Sequence, residues 1–237
     1  MHVSVQGSFR SFNEPFEGVV HHMYLDIKAL VTIGVGNLID PVGEAKILPF
    51  QFKSDPARNA SQAEIEAEWK SVKANGALAK KGYKAAGKVT DLELSDESIG
   101  RLIQKRLLGN EKLIRKQDPF ARWDVWPADA QLAVLSMAWA MGPAAFAGFP
   151  KFCESCRVMD FTAASAQCKI ADADNPGVTP RNDANQLLFR NAATAVAKKL
   201  DIAVLYYPGK ARTPLTPSMA AKQNTPAIGK KAATAAG

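Results

Sequence analysis

Long apolar runs are missing from this chain of 237 residues. No stretch approaches the roughly 18 consecutive apolar residues that a membrane-spanning helix needs. The N-terminal MHVSVQGSFRSFNEPFEG alternates polar and apolar residues and lacks the apolar heart of a secretory signal. Synthesis in the cytoplasm without a signal peptide, and no membrane insertion, are therefore expected. Histidine is scarce, with three residues and none beyond His22. Cysteine is equally scarce: Cys153 and Cys156 form one C-x-x-C, and Cys168 stands alone. With no second pair and no nearby histidine a zinc site is incomplete, and no thioredoxin-like βαβ pattern surrounds the motif. Buried thiols, with at most one opportunistic disulfide, are expected, and neither a metal nor a cofactor is. Acidic residues are in deficit, 23 against 30 basic ones, leaving a net charge of +7. Such a chain is drawn to polyanions: nucleic acid, anionic lipid, or a bacterial wall rich in carboxylates and phosphates.

What remains is an ordinary globular composition, 47% hydrophobic, long enough for one sizeable core or two smaller parts. Phe9, Phe12 and Phe16 stand at helical spacing, and Gly18 is a natural stop, so a helix is predicted over 8–18. VVHHMYLDIKALVTIGVGNLI, residues 19–39, is rich in β-branched residues and predicts a small antiparallel sheet. Residues 40–50 look loop-like. Ser61 and Glu64 form a capping box for a helix lined by Ile65, Trp69 and Val72. The Gly- and Lys-rich AKKGYKAAGKVTDLEL reads as a mobile stretch. Beyond Ser95, itself a helix cap, the chain is strongly helical. Ile99, Leu102, Ile103, Arg106 and Leu107 share one side of the first of these helices. Pro127 opens the nearly all-apolar AQLAVLSMAWAM, which Gly142 and Pro143 end, and further helices are predicted over 144–157, 160–172 and 181–200. From about Pro208 the composition turns to Pro, Ala, Thr and Lys, and a disordered cationic tail is expected over 208–237. The class is α+β with segregated elements.

Cleaving a glycosidic bond needs one carboxylic acid to protonate the leaving oxygen and a second group to activate water or attack directly. Glu17 at a helix end, Asp26 in the predicted sheet and Thr32 at the start of TIGVG can converge on one cleft. The spacing is Glu, eight residues, Asp, five residues, Thr. Such a trio is weak by itself, since caps and surface charges look the same. His21 and His22 are better placed as surface residues of a strand than as catalysts.

FEGVVHHMYLDIKALVTIGVGNLI resembles the N-terminal signature of the phage-type lysozymes, glycoside hydrolase family twenty-four. Tyr24, Asp26, Thr32, Ile33, Gly34, Gly36 and Leu38 carry that likeness. LSMAWAMGPAAFAGFPKF is similar to the family's central buried helix and following turn, through Met141, Gly142, Gly148 and Phe149. RNDANQLLFRNAA is a weaker echo. The resemblance implies a lysozyme-like, two-lobed fold. Its catalytic domain would span 1–207, with a sheet-bearing substrate lobe over about 18–92 and a helical lobe over about 93–207. It implies Glu17 as general acid, with Asp26 and Thr32 holding the attacking water and inverting the anomeric carbon. A raised Glu17 pKa would be needed near neutrality, and burial against the apolar hairpin is the expected source. Gly36 and Leu38 match groove-lining positions, and Tyr24 is a further candidate for substrate binding. Trp139 matches an aromatic position, lining the cleft floor or filling the core. Asn37 departs from the T-even pattern, where a histidine pairs with a distant carboxylate, and residues 40–91 are longer than in the compact phage enzymes.

The implied substrate and partner is bacterial peptidoglycan, cut between N-acetylmuramic acid and N-acetylglucosamine by a monomer acting in the periplasm or cell wall. A lytic transglycosylase, a non-catalytic wall-binding module and a basic nucleic-acid binder are the rivals. Retention of Asp26 and Thr32 argues for hydrolysis, and no aromatic-interleaved basic motif supports nucleic acid. Delivery stays open between a phage endolysin, an injected antibacterial effector, for which an immunity protein or a secretion component would be a further partner, and a fragment of a larger toxin.

Overall fold

The structure is a computed structural model and describes residues 1–173 and 176–211. Val5, Phe9 and Phe12 lie on one face of helix α1 (Val3–Glu17), and all three are buried. This helix starts earlier than the predicted 8–18. Val5 extends the apolar stripe, the His2 backbone N–H donates to Gln131 Oε1 at 2.7 Å, and the Met1 amine pairs with Glu111. Gly18 ends it as expected, at a φ of 70° that favours glycine, with its N–H bonded to Glu14 O.

The β-rich stretch folds as an antiparallel sheet of β1 (Val20–Leu25), β2 (Val31–Gly34) and β3 (Asn37–Leu38), in that order. Its register sets Tyr24 opposite Thr32, and Thr32 opposite Leu38. The middle of the chain is more structured than predicted. It holds α2 (Val42–Lys46), β4 (Gln51–Phe52), β5 (Asp55–Asn59), α3 (Gln62–Ala74), α4 (Leu78–Lys81), α5 (Tyr83–Ala86) and β6 (Leu92–Glu93). Strands β5, β4 and β6 make a second antiparallel sheet. It joins the first where the Leu94 N–H donates to His21 O at 2.8 Å. These strands are too short to show periodicity in sequence, and the α4–α5 stretch, expected to be mobile, is seated against β1.

The capping box of Ser61 and Glu64 forms as expected. Helix α3 then steadies the first sheet: Trp69 Nε1 donates to Ile39 O at 2.9 Å, and Lys73 Nζ reaches Ala29 O at 2.9 Å and Asp40 at 2.5 Å. Ser95 caps α6 (Asp96–Ile114), whose Ile99, Ile103 and Leu107 face the core. Helix α7 (Ala128–Met141) is buried on nearly every side. Pro143–Gly148 form a 3-10 segment rather than the start of a helix, because Pro150 begins α8 (Pro150–Arg157) as a separate element. Helices α9 (Phe161–Gln167) and α10 (Thr179–Ala197) complete the bundle, the former ending short of the predicted 172. No helix of the described residues is long and apolar enough to cross a membrane.

The mixed α+β class is thus observed, with small antiparallel sheets and a larger helical part. Most of the tail predicted from Pro208 lies outside the described residues. Its first residues are held: Asn191 accepts from the Ala211 N–H at 3.0 Å and donates to Gly209 O at 3.0 Å, and Ala211 is buried.

Candidate active site

Glu17 is the last residue of α1, and the turn at Gly18 feeds directly into β1. Its Oε1 lies 2.5 Å from Nη2 of Arg181 on α10. The other nitrogen of that guanidinium is fixed from behind, with Nη1 donating to Asn13 Oδ1 at 2.8 Å and to both oxygens of Ser136 at 3.1 Å. The Arg181 plane also lies 4.8 Å over the Phe16 ring. A buried arginine braced by α1 and α7 therefore presents one edge to Glu17. The apolar enclosure expected around Glu17 is not what the structure shows. Its side chain is 27% exposed, and its closest polar partner is a cation.

Gly36 lies near the other carboxylate oxygen. A Cβ at Gly36, whose φ is 71°, would lie 3.8 Å from Glu17 Oε2 and 3.8 Å from Arg106 Nη1. Both are ordinary contact distances, so Oε2 lies close to the β2–β3 turn. Arg106 on α6 donates through Nη1 to Gly36 O at 2.9 Å and through Nη2 to Trp139 O at 2.8 Å. It ties the β2–β3 turn to the end of α7. Burial pulls both Arg106 and Arg181 below the ordinary arginine value while the Glu17 charge opposes the shift, and each stays a cation.

Asp26 follows β1 and closes the turn to β2. Its Oδ1 accepts from the backbone N–H of Lys28 at 2.8 Å and of Leu30 at 2.9 Å. Among the described residues Oδ2 accepts no hydrogen bond. Thr32 is 4% exposed, and its hydroxyl donates to Leu30 O at 3.1 Å. Leu30 thus binds both side chains, Asp26 through its N–H and Thr32 through its C=O. With its hydrogen committed, the Thr32 oxygen has only lone pairs to offer. Tyr24, across from Thr32, has its phenol pushed up to about 12 by burial, then by the charges of Glu17 and Asp26, with Arg106 opposing.

The two predicted groove residues lie together. Gly36 and Leu38, the latter 53% exposed, line an open groove of about 440 Å³ with Ile47, Leu48, Leu102 and Lys105 among its walls. The groove does not contain Glu17, Asp26 or Thr32. Its nearest approach to Glu17 is at Gly36, which lies close to Glu17 Oε2. Trp139 does not reach the groove. It is 3% exposed, packs 5.0 Å from Phe9, lies 4.0 Å under Arg106, and donates Nε1 to Val35 O at 3.2 Å. Of its two expected places it takes the core, where it anchors the turn that carries Gly36.

The histidines are not the free surface residues expected. His21 Nδ1 bonds Leu94 O at 2.8 Å, and His22 Nε2 bonds Tyr83 O at 2.8 Å. The reasons differ: the end of β6 lies against His21, and α4–α5 covers His22. The three cysteines are free thiols, and burial pushes Cys168 up to about 12 and Cys156 further. Among the described residues no group of three or more His, Cys, Asp or Glu side chains is placed to hold a metal. Sequence reasoning gave no role to Arg181 or Tyr83 and placed Arg106 only on the core side of its helix. Arg181 stood within the RNDANQLLF echo, the one available hint. No protein-family model matches this chain. A comparison with curated proteins likewise gives no match.

Proposed function

We propose that the protein is a muramidase that hydrolyses the β-1,4 bond between N-acetylmuramic acid and N-acetylglucosamine in bacterial peptidoglycan. The observation that carries this reading is the division of labour between two carboxylates. Glu17 has one oxygen held by Arg181 and the other near Gly36 with no hydrogen-bond partner among the described residues. Asp26 has one oxygen tied into its turn by the Leu30 N–H and the other without a protein partner among the described residues, and the Thr32 hydroxyl is tied to the carbonyl of the same Leu30.

Glu17 Oε2 carries the proton to the leaving glycosidic oxygen as the C–O bond breaks. A water donates one hydrogen to Asp26 Oδ2 and the other to Thr32 Oγ1, which leaves an oxygen lone pair for attack on the anomeric carbon. Asp26 takes the proton released, and the anomeric configuration inverts. Because Thr32 is nearly closed off, this water sits in a recess below the cleft surface. On this reading the fold is lysozyme-like and two-lobed. Arg106 and Trp139 join the lobe bearing the sheets to the helical one, and the groove over Gly36 and Leu38 takes the sugars. The protein acts as a monomer on the wall, as an endolysin or as an effector delivered to rival bacteria, an immunity protein or a secretion component being a partner in the second case.

Glu17→Gln should abolish lysis of purified walls while leaving wall binding intact. The products of the wild type should carry a new reducing end, inverted at the anomeric carbon by NMR. An anhydro-sugar product would instead point to a lytic transglycosylase. Lysis by Glu17→Gln would overturn the site.

A further inference from the structure

Helices α4 and α5 pack against β1, with Leu78 and Ala86 buried, and the way they are attached is specific. His22 Nε2 bonds the backbone oxygen of Tyr83, not its side chain. Gly87 packs flat on the same imidazole, where a Cβ would come within 2.8 Å of His22 Cε1. The backbone of this segment is therefore pinned, while the Tyr83 ring is left 47% exposed. That ring meets Tyr24 edge to face at 6.4 Å, and Tyr24 is the cross-strand neighbour of Thr32. Around Tyr83 the segment carries Lys80, Lys81, Lys84 and Lys88, all exposed. None of the four pairs with a carboxylate among the described residues, and what sets them apart from the chain's other unpaired lysines is that they fall within nine positions around one exposed ring.

A pinned backbone, an exposed ring against the cross-strand neighbour of Thr32, and four clustered cations form a combination that a solvated loop does not need. Ring faces take the C–H faces of sugars by apolar contact. Unpaired lysines attract carboxylates over about 8–10 Å in physiological salt. We propose that α4–α5 is a binding wall for an acid-bearing saccharide, with Tyr83 stacking on a sugar ring and the lysines taking its carboxylates. This rests on the muramidase reading and adds the surface that would tell its carboxylate-bearing glycan from a neutral N-acetylglucosamine polymer.

The test uses the full chain with Glu17→Gln, so that substrate survives, and measures sedimentation with purified peptidoglycan and with insoluble chitin. Adding Tyr83→Ala should weaken binding to peptidoglycan about tenfold, equivalent to one good aromatic contact. Tyr83→Phe should bind like the parent. Lys80→Gln with Lys84→Gln should weaken peptidoglycan binding and its salt dependence while leaving chitin unchanged. Because these residues are exposed, an unchanged circular dichroism melt is expected for each variant. In the Glu17 background, Tyr83→Ala should act on affinity, and in the active enzyme it should raise KM with kcat within about twofold. Unchanged peptidoglycan binding by Tyr83→Ala, or equal loss on chitin from the lysine changes, would overturn the wall. A wild type that binds through Tyr83 but cleaves no wall would overturn the muramidase reading and leave this surface standing.

Discussion

The guanidinium of Arg181 lies 2.5 Å from the carboxylate of Glu17, so helix α10 reaches back to the residue that ends α1. The same side chain satisfies Asn13 and Ser136 in the interior. Replacing Arg181 with Met keeps much of the volume but strands those acceptors and one oxygen of Glu17. Loss of a buried cation with several partners costs about 3 kcal/mol. A fall of that size is expected in urea denaturation. Arg181→Lys should recover little, because a point charge cannot span the acceptors that the planar fork reaches.

Arg106 offers a second, independent join. It bonds the carbonyls of Gly36 and Trp139 at once, and so couples the β2–β3 turn to the end of α7. Arg106→Met should cost about 2 kcal/mol through two carbonyls that lose their donor. The decisive signature is local. Amide exchange at Val35–Leu38 should quicken more than in α10, and equal protection at both would show that the guanidinium is not what holds the turn.

Much of this arrangement could be read in the sequence where the signal is periodic or local. Phe9 and Phe12 announced α1, the β-branched run announced β1 and β2, and Ser61 with Glu64 announced the start of α3. Glu17, Asp26 and Thr32 were reachable because they sit within 16 residues of one another, on elements joined by tight turns. What sequence could not supply depends on distant partners. Arg181 finds Glu17 across 164 positions, and Trp139 finds Val35 across 104. Strands β4 and β6 are two residues each, too short for any alternation to register. The Gly- and Lys-rich segment looked mobile because its first ten residues hold no aliphatic residue larger than alanine, yet Leu92 and Leu94 near its end are buried. It is also fixed by His22, Lys53 and Glu68, residues far outside it.

That attachment should respond to acid. Burial holds the His22 imidazole below its ordinary value of 6.5; the nearby charges of Lys53 and His21 add to this, while the Tyr83 carbonyl and Glu93 oppose it. A depressed value means that the folded state disfavours the proton, so the stability from His22 is full above the ordinary value. It is lost as the pH falls through the depressed one. Hydrogen exchange at Tyr83–Gly87, corrected for intrinsic rates, should therefore speed up between pH 7 and pH 5 more than in α3. Exchange that stays parallel in the two segments would show that His22 does not govern the seat.

The cap of α3 gives a small effect of definite size. Ser61 is exposed, accepts from the Glu64 N–H at 3.3 Å, and its own N–H donates to the Glu64 carboxylate at 2.8 Å. Ser61→Ala removes the first of these and leaves the second, at a cost of about 1 kcal/mol. The midpoint of urea unfolding should fall accordingly, with the slope unchanged. Ser61→Asp should restore the lost stability, because aspartate also accepts at an N-cap and its charge suits the helix N-terminus.

The thiols make the last case. Cys156 and Cys168 are buried and Cys153 is half-buried, its Sγ near Phe146 O at 3.3 Å. Burial raises all three above the ordinary thiol value, and Cys168 reaches about 12, so little thiolate exists at neutral pH. The thiolate is the reactive species. An aromatic disulfide reagent at pH 8 should therefore label the native protein slowly and at Cys153 first, and all three cysteines at once in guanidinium. Rapid native labelling of Cys156 would mean that α8 opens from the core far more often than its packing allows.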